Sequence, residues 1–208
     1  MLGDSITQGY KAKGYRYDLW TMLLDDGLKF DFLGSMDTPD QYAGTYPNYK
    51  GKSFDQDHEG HSGWHADSVL QYMGQWLPQY AKPDIVLLHL GTNDVLQGKN
   101  DKLVTISELR QVIGKLKARN SNAIILVAEI IPSLGLYWTN PYINEDVAGY
   151  NAEIVKMVNS MADPKVVLVD MFTGFDPDVY LFDGVHPNAT GEHMMAQRWR
   201  DALFAAIK

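Results

Sequence analysis

The sequence predicts an α/β fold: a three-layer α/β/α sandwich around a five-stranded parallel sheet. Short, nearly continuous apolar runs, typical of strands covered on both faces, alternate along the chain with longer amphipathic helical segments. This alternation indicates βαβ units, which build parallel sheets. The length of 208 residues suits one such domain. We therefore expect a single domain over residues 1–208, with the flavodoxin-like strand order 2-1-3-4-5.

The strands are predicted from their apolar runs. The first ends at Gly3, and the clearest is Asp84–Leu90, which reads Asp-Ile-Val-Leu-Leu-His-Leu. A strand that ends at Gly3 needs several residues before it, so we expect a segment upstream of Met1. The remaining strands are predicted at Lys29–Leu33, Ala123–Ile131 and Lys165–Met171.

The helices are predicted from apolar residues spaced three and four apart. Thr105 and Glu108 have the spacing of a capping box, which opens a helix reaching to about Arg119. The other predicted helices are Tyr15–Leu24, His65–Tyr80, Glu145–Met161 and Thr190–Ile207. Two aromatic-rich loops, Gly34–Gly63 and Ser133–Tyr142, interrupt the pattern, and a loop as long as the first is usually functional or disordered.

Composition excludes several classes of function. The net charge of −8 argues against a nucleic-acid or anionic-membrane partner, since either would need a basic face, and it suits a neutral substrate. The chain has no cysteine, which excludes disulfides, thiol catalysis and cysteine zinc sites. No apolar run approaches the length of roughly 18–20 residues that a membrane span needs.

Ser5 directly follows the first strand, at the edge where open α/β sheets bind their ligands. A serine hydroxyl needs a base to act as a nucleophile. Asp183 and His186 lie on one short loop, and Gly184 between them lets the carboxylate turn back onto one ring nitrogen while the other faces Ser5. We interpret the three as a catalytic set. The alternative is a plain turn with a surface histidine.

An acyl-transfer site also needs hydrogen-bond donors for the oxyanion of the tetrahedral intermediate. The backbone N–H of Ser5 is one candidate. The side-chain amide of Asn93, just past the strand that ends at Leu90, is a second. A glycine N–H should be the third, because a missing side chain lets substrate approach, and both Gly60 and Gly63 qualify.

Other polar residues offer weaker hypotheses. Ser62 as the nucleophile has no Asp/His loop of its own, and Trp at position 64 excludes the Gly-x-Ser-x-Gly elbow. The acidic and histidine residues of the segment 55–61 could hold a cation, although a solvated or self-bonded acidic loop is the simpler interpretation. His89 lies within an apolar strand and is expected to be a hydrogen-bonded core histidine.

Four stretches together resemble the four blocks of the SGNH (GDSL-type) hydrolase superfamily. In chain order they are Gly3-Asp4-Ser5-Ile6-Thr7-Gln8-Gly9, Gly60-His61-Ser62-Gly63-Trp64, Gly91-Thr92-Asn93-Asp94 and Asp183-Gly184-Val185-His186-Pro187-Asn188. The resemblance implies an SGNH hydrolase fold, a triad of Ser5, His186 and Asp183, and oxyanion donors at Ser5, Gly63 and Asn93. It favours Gly63 over Gly60, because its offset from Val69 matches other members.

Within the superfamily the sequence is most similar to carbohydrate esterase family 3, the acetyl xylan esterases. The segment Asp57-His58-Glu59-Gly60-His61 adds to the matching features. This resemblance implies a secreted enzyme that acts on an acetylated polysaccharide. We also expect a monomer that needs no metal or other cofactor. Trp64, Tyr137 and Trp138 are the residues we expect to contact substrate.

Aromatic residues in the two loops could supply flat faces for sugar rings. The alternative is that they pack only within their own loops. We expect at least one of them within about one sugar length of Ser5. They are Tyr42, Tyr46, Tyr49, Tyr137 and Trp138.

Two other functions remain open. The same machinery could cleave another ester, as in a lysophospholipase or a thioesterase. The aromatic loops could instead belong to a carbohydrate-binding module without catalytic activity.

Overall fold

The computed structural model describes residues 1–98, 101–135 and 143–208. Its five strands are all parallel and lie in the order β2-β1-β3-β4-β5, which confirms the predicted 2-1-3-4-5 topology. The strands are β1 (Leu2–Gly3), β2 (Glu59–Gly60), β3 (Ile85–His89), β4 (Ile124–Ala128) and β5 (Val166–Val169).

The helices cover both faces of this sheet. They are α1 (Ser5–Gln8), α2 (Tyr15–Asp25), α3 (Ala66–Trp76), α4 (Thr92–Gln97), α5 (Lys102–Arg119), α6 (Ile143–Met161), α7 (Pro177–Tyr180) and α8 (Ala189–Ala206). Among the described residues, no helix is long and apolar enough to span a membrane.

The apolar core lies in two layers, one on each face. Because successive strand residues point to opposite faces, Leu88 packs with the cluster that includes Met73 on α3, while Leu87 packs with the cluster that includes Trp199 on α8. All four side chains are buried. This arrangement confirms the predicted three-layer sandwich.

The prediction of the second strand was wrong. Lys29–Leu33 is irregular, and Glu59–Gly60 pairs with β1 instead, with Leu2 opposite Glu59 and Gly3 opposite Gly60. Strand β1 has only two residues, so a partner strand of two residues pairs with its whole length. Residues 29–33 line an apolar cavity of about 560 Å³ at the amino end of the sheet, away from Ser5.

Two helix ends also differ from prediction. Helix α5 begins at Lys102, because the Asp101 side chain accepts a hydrogen bond from the Leu103 N–H at 2.8 Å and caps the helix there. Thr105 is therefore buried inside the helix. Helix α3 ends at Trp76 and is followed by a 3₁₀ turn, Leu77–Gln79, because Pro78 has no N–H to continue the α-helix.

Candidate active site

The site lies at the carboxyl edge of the sheet and begins with a sharp strand-to-helix turn. The Asp4 side chain accepts a hydrogen bond from the Ile6 N–H at 3.0 Å and so caps the short helix α1, on which Ser5 is the first residue. A Cβ at Gly3 would overlap both the His89 carbonyl oxygen and the Thr7 hydroxyl, so the close approach of β1 to β3 requires glycine there. The turn holds Ser5 buried, with its hydroxyl directed at His186.

Asp183 and His186 form a compact local network. Asp183 Oδ1 accepts from the backbone N–H groups of Val185 at 3.0 Å and His186 at 2.8 Å, and its Oδ2 lies 2.8 Å from His186 Nδ1. Gly184 has φ +88°, the left-handed conformation that lets the carboxylate turn back. Burial alone would raise the pKa of Asp183, but the hydrogen bonds from His186 and Val185 lower it below the ordinary value.

The ring of His186 connects this carboxylate to Ser5. The Ser5 Oγ lies 2.9 Å from His186 Nε2. Because Asp183 is ionised and can only accept, His186 Nδ1 carries a proton, and in the neutral ring Nε2 then accepts the Ser5 O–H. The structure thus brings together the three residues that the sequence predicted as a catalytic set, with hydrogen bonds suited to general-base activation of a serine.

Two aromatic rings lie beside His186, and neither was among the predicted site residues. The Tyr10 ring centroid lies 4.3 Å from that of the imidazole, and the Phe182 ring stacks on it at 6.0 Å. Phe182 is 42% exposed. Their positions next to the first and last blocks, at Gly9 and Asp183, are the one clue that sequence reasoning could have used.

The oxyanion side is formed by a four-residue turn, residues 61–64, which we call the oxyanion turn. The Trp64 N–H donates to the His61 carbonyl at 3.1 Å, and Gly63 has φ +77°, as the third residue of a type II turn requires. The Ser62 N–H donates to the Gln8 side-chain oxygen at 2.9 Å. Among the described residues, the Gly63 N–H has no hydrogen-bond acceptor.

The geometry favours Gly63 over Gly60 as the glycine donor. The Gly60 N–H already donates to His58 Nδ1 at 2.9 Å. A Cβ at Gly60 would overlap the Gln8 backbone, whereas a Cβ at Gly63 would point into open space. Gly60 is therefore a packing glycine, whereas Gly63 is exposed and its N–H remains available to another acceptor.

Asn93 belongs to the same side of the site. It lies in the first turn of α4, and its Nδ2 donates to the Trp64 carbonyl at 2.9 Å, which leaves the second amide hydrogen for another acceptor. The next residue, Asp94, is buried and accepts from the Ala66 N–H at 3.1 Å, so that α4 is tied to the start of α3. Sequence reasoning found Asn93 but missed helix α4.

The polar side chains of the segment 55–61 are engaged in hydrogen bonds within the protein. Asp55 accepts from the Phe32 N–H at 2.7 Å, His58 Nε2 lies 3.1 Å from the Thr38 carbonyl, and His61 Nε2 lies 2.9 Å from Glu59 Oε2. Burial lowers the pKa of His58 to about 2. Within the parts of the chain that the structure describes, no group of three or more His, Asp or Glu side chains is arranged to hold a metal ion.

His89 is a buried core histidine, as predicted. Its Nε2 accepts from the Ile131 N–H at 3.3 Å, and burial lowers its pKa to about 4, which keeps the ring neutral.

The aromatic residues predicted to contact substrate have different surroundings. Trp64 is half-buried and stacks on the His61 ring at 4.0 Å. Tyr46 packs on Phe54 at 4.7 Å, and the Tyr49 hydroxyl donates to Asp25, so both belong to their own loop and its neighbours. Tyr137 and Trp138 lie outside the described residues.

Comparison with known proteins agrees with this geometry. Residues 1–194 match the GDSL-like lipase/acylhydrolase family. The chain belongs to this family. Its fold resembles the crystal structure of a carbohydrate esterase family 3 protein from Talaromyces cellulolyticus, with TM-score 0.83 and 32% identity over 99% of this chain and 95% of the other. It equally resembles an acetyl esterase mutant crystallised with an acetate ion, with TM-score 0.82 and 31% identity over the same shares.

The GDSL-family chain also matches part of a much longer curated protein. It is 31% identical over 224 aligned residues to a multidomain esterase from Ruminococcus flavefaciens. The match takes in 100% of this chain but 28% of the relative, so the chain spans little more than a quarter of that protein's length.

Proposed function

We propose that this GDSL-family chain is a serine esterase that removes short acyl groups, above all acetyl, from an acetylated polysaccharide such as xylan. The observation that carries the proposal is the chain of contacts from Ser5 through His186 to Asp183, at 2.9 and 2.8 Å. A serine hydroxyl bonded to an imidazole that a carboxylate orients is the arrangement that acyl transfer requires.

In this mechanism Ser5 Oγ attacks the ester carbonyl while His186 Nε2 takes its proton. Asp183 holds the ring in the required tautomer and stabilises the imidazolium. His186 then protonates the leaving sugar oxygen, and an acyl-enzyme on Ser5 remains. Water, deprotonated by His186, attacks the acyl group and releases the carboxylate and free Ser5.

The oxyanion of each tetrahedral intermediate is held by the Ser5 and Gly63 backbone N–H groups and by the Asn93 amide. All three donors are neutral, so they stabilise negative charge without changing protonation state. The chain itself supplies the nucleophile, the base and the oxyanion donors, so the reaction requires no cofactor.

The substrate class rests on two supports. The similar solved structures are a carbohydrate esterase and an acetyl esterase. In addition, Tyr10 and Phe182 place aromatic surface beside His186, the residue proposed to protonate the leaving group. A sugar ring can pack its apolar face against such surface, whereas the net charge of −8 opposes binding to an anionic lipid surface.

A chain-length series tests the proposal. Turnover of p-nitrophenyl acetate should exceed that of butyrate, butyrate should far exceed octanoate, and acetylated xylan should release acetate. Ser5→Ala protein serves as the blank for each substrate. Rates that rise toward octanoate, with no acetate from xylan, would identify a lipid or thioester hydrolase instead. A folded parent without turnover on any ester would favour a binding module.

A further inference from the structure

A buried Glu–His pair, Glu59 and His61, lies at the start of the oxyanion turn, and the reaction proposed above does not use it. His61 Nε2 lies 2.9 Å from Glu59 Oε2, and the other carboxylate oxygen accepts from the Ser35 N–H. The side chains of His61 and Glu59 are 9% and 3% exposed. Burying an ionisable pair is weak evidence for stability, because the desolvation penalty offsets the attraction, so its retention calls for another reason.

The His61 ring is in contact with Trp64. The imidazole and the indole are nearly parallel, at 13°, with their centroids 4.0 Å apart. The imidazole cannot rotate freely, because Glu59 fixes its Nε2 and the His61 backbone N–H donates to the Gly3 carbonyl at 3.0 Å. The pair therefore presents a fixed flat surface that sets the position of Trp64.

The position of Trp64 in turn sets the orientation of Asn93. The Trp64 carbonyl accepts one hydrogen of the Asn93 amide at 2.9 Å. An amide group is planar, so fixing one N–H direction also fixes the other. A small rotation of the Trp64 peptide would thus turn the second hydrogen, the proposed oxyanion donor, away from its target.

We propose that Glu59 and His61 are positioning residues for one oxyanion donor, the Asn93 amide, on which they act through Trp64. The expected change in kcat rests on the proposed esterase function. The expected change in the orientation of the Asn93 amide does not. The contacts run from Glu59 to His61, from His61 to the indole of Trp64, and from the Trp64 carbonyl to Asn93.

The kinetic test is a double-mutant cycle with p-nitrophenyl acetate. His61→Phe keeps a flat ring on Trp64 but loses the bond to Glu59, and Glu59→Gln removes the buried charge that His61→Phe would leave unpaired. Each should lower kcat about tenfold with little change in KM, because small misplacements of a donor act on the transition state. In an Asn93→Ala background the same changes should lower kcat less than about twofold.

A matched control is His65→Gln. His65 follows Trp64 directly but is only half-buried and bonds the Gln97 side chain instead of Asn93, so this variant should match the parent. A pair with a purely structural role would give a different result. Its variants would still lose the full tenfold in the Asn93→Ala background, and that outcome would overturn the proposal.

A second measurement does not depend on activity. In a ¹⁵N–¹H spectrum the Asn93 side-chain NH₂ pair is identified by its loss in Asn93→Ala. It should shift in His61→Phe, in Glu59→Gln and in the variant that combines both, and stay in place in His65→Gln. If the Asn93 NH₂ signals do not move in folded His61 and Glu59 variants, the positioning role is refuted, even in a protein that hydrolyses no ester. If the Asn93 NH₂ signals shift in these variants but the parent hydrolyses no ester, only the proposed function is refuted.

Discussion

The two sides of the candidate site are constructed differently. On the acid–base side, Asp183 makes its three hydrogen bonds to residues at most three positions away, Val185 and His186. On the oxyanion side, the turn that carries Gly63 is held by Gln8, and its Trp64 carbonyl holds Asn93. One side is organised within a single loop, whereas the other depends on contacts between distant segments.

This difference determines what a substitution does on each side. Removing a member of the local network should change chemistry with little effect on folding, because few other segments depend on it. Removing a member of the distributed network should change geometry and stability together. Four variants test this contrast, from the largest expected effect to the smallest.

Asp183→Asn should reduce kcat about 10⁴-fold, nearly as far as Ser5→Ala or His186→Ala. Two backbone N–H groups face Asp183 Oδ1, so the asparagine oxygen must occupy that place and its NH₂ must face His186 Nδ1. That contact forces the proton onto Nε2, which can then no longer accept from Ser5. Steady-state kinetics with p-nitrophenyl acetate and a thermal melt that matches the parent would check it. A loss below about tenfold would mean that Tyr10 and Phe182, not Asp183, orient the ring.

Asn93→Ala should reduce kcat by about 10²–10³ with a smaller change in KM, as removal of one oxyanion donor does elsewhere. The same variant frees the Trp64 carbonyl, so unlike Asp183→Asn it should also lower Tm. Kinetics and a melt on one preparation separate the two effects. An increase confined to KM would reassign Asn93 to substrate binding.

The same contrast explains what could be predicted from sequence. Asp183 and His186 were predictable because their contact depends on a separation of three residues and on the glycine between them. Ser5 and Asn93 were predictable because each follows an apolar strand whose end lies at a known edge of the sheet. The choice between Gly60 and Gly63 had no local signal, because it depends on His58 and on the Gln8 backbone. Tyr10 and Phe182 were missed for the same reason.

The prediction of the fold from sequence was limited in the same way. The strand order was predicted correctly, but the strand next to β1 was placed at Lys29–Leu33 on its alternating pattern. In the structure that pattern faces the cavity at the amino end of the sheet, and Glu59–Gly60 takes the pairing. Apolar periodicity indicates which residues are buried, and it does not indicate which backbone groups find partners.

Asp4 provides a comparison within the site, because its carboxyl contrasts with that of Asp183. Burial raises the pKa of Asp4 to about 6 from its ordinary 3.8, and the Ile6 N–H offsets this only in part. Its Oδ2 has no hydrogen-bond partner among the described residues. Asp4 is therefore a carboxylate that folding penalises, and Asp183 is one that the fold stabilises.

Asp4→Asn should consequently stabilise the protein in a pH-dependent way. The folded state holds the Asp4 proton more tightly than the unfolded state, so the parent loses stability as pH rises from about 4 through about 6. The variant lacks this loss. Its advantage should be absent below pH 4 and reach at most about 3 kcal/mol above pH 7, on the basis of 1.36 kcal/mol per pKa unit. Urea unfolding at pH 4 and pH 8 measures it, and an equal difference at both values would contradict the assignment.

Gly63→Ala should have the smallest effect, and Gly60→Ala is its matched control. A non-glycine residue at φ +77° costs about 1–2 kcal/mol, but the new methyl group meets no atom within 4 Å and the backbone N–H remains. Gly63→Ala should therefore fold, melt a few degrees lower and keep kcat for p-nitrophenyl acetate within about tenfold of the parent, since the donor is retained. At Gly60 the methyl group would overlap the Gln8 backbone, so Gly60→Ala should fail to accumulate as folded protein. A Gly60→Ala protein that accumulates and melts like the parent would contradict the assignment of Gly60 as a packing glycine.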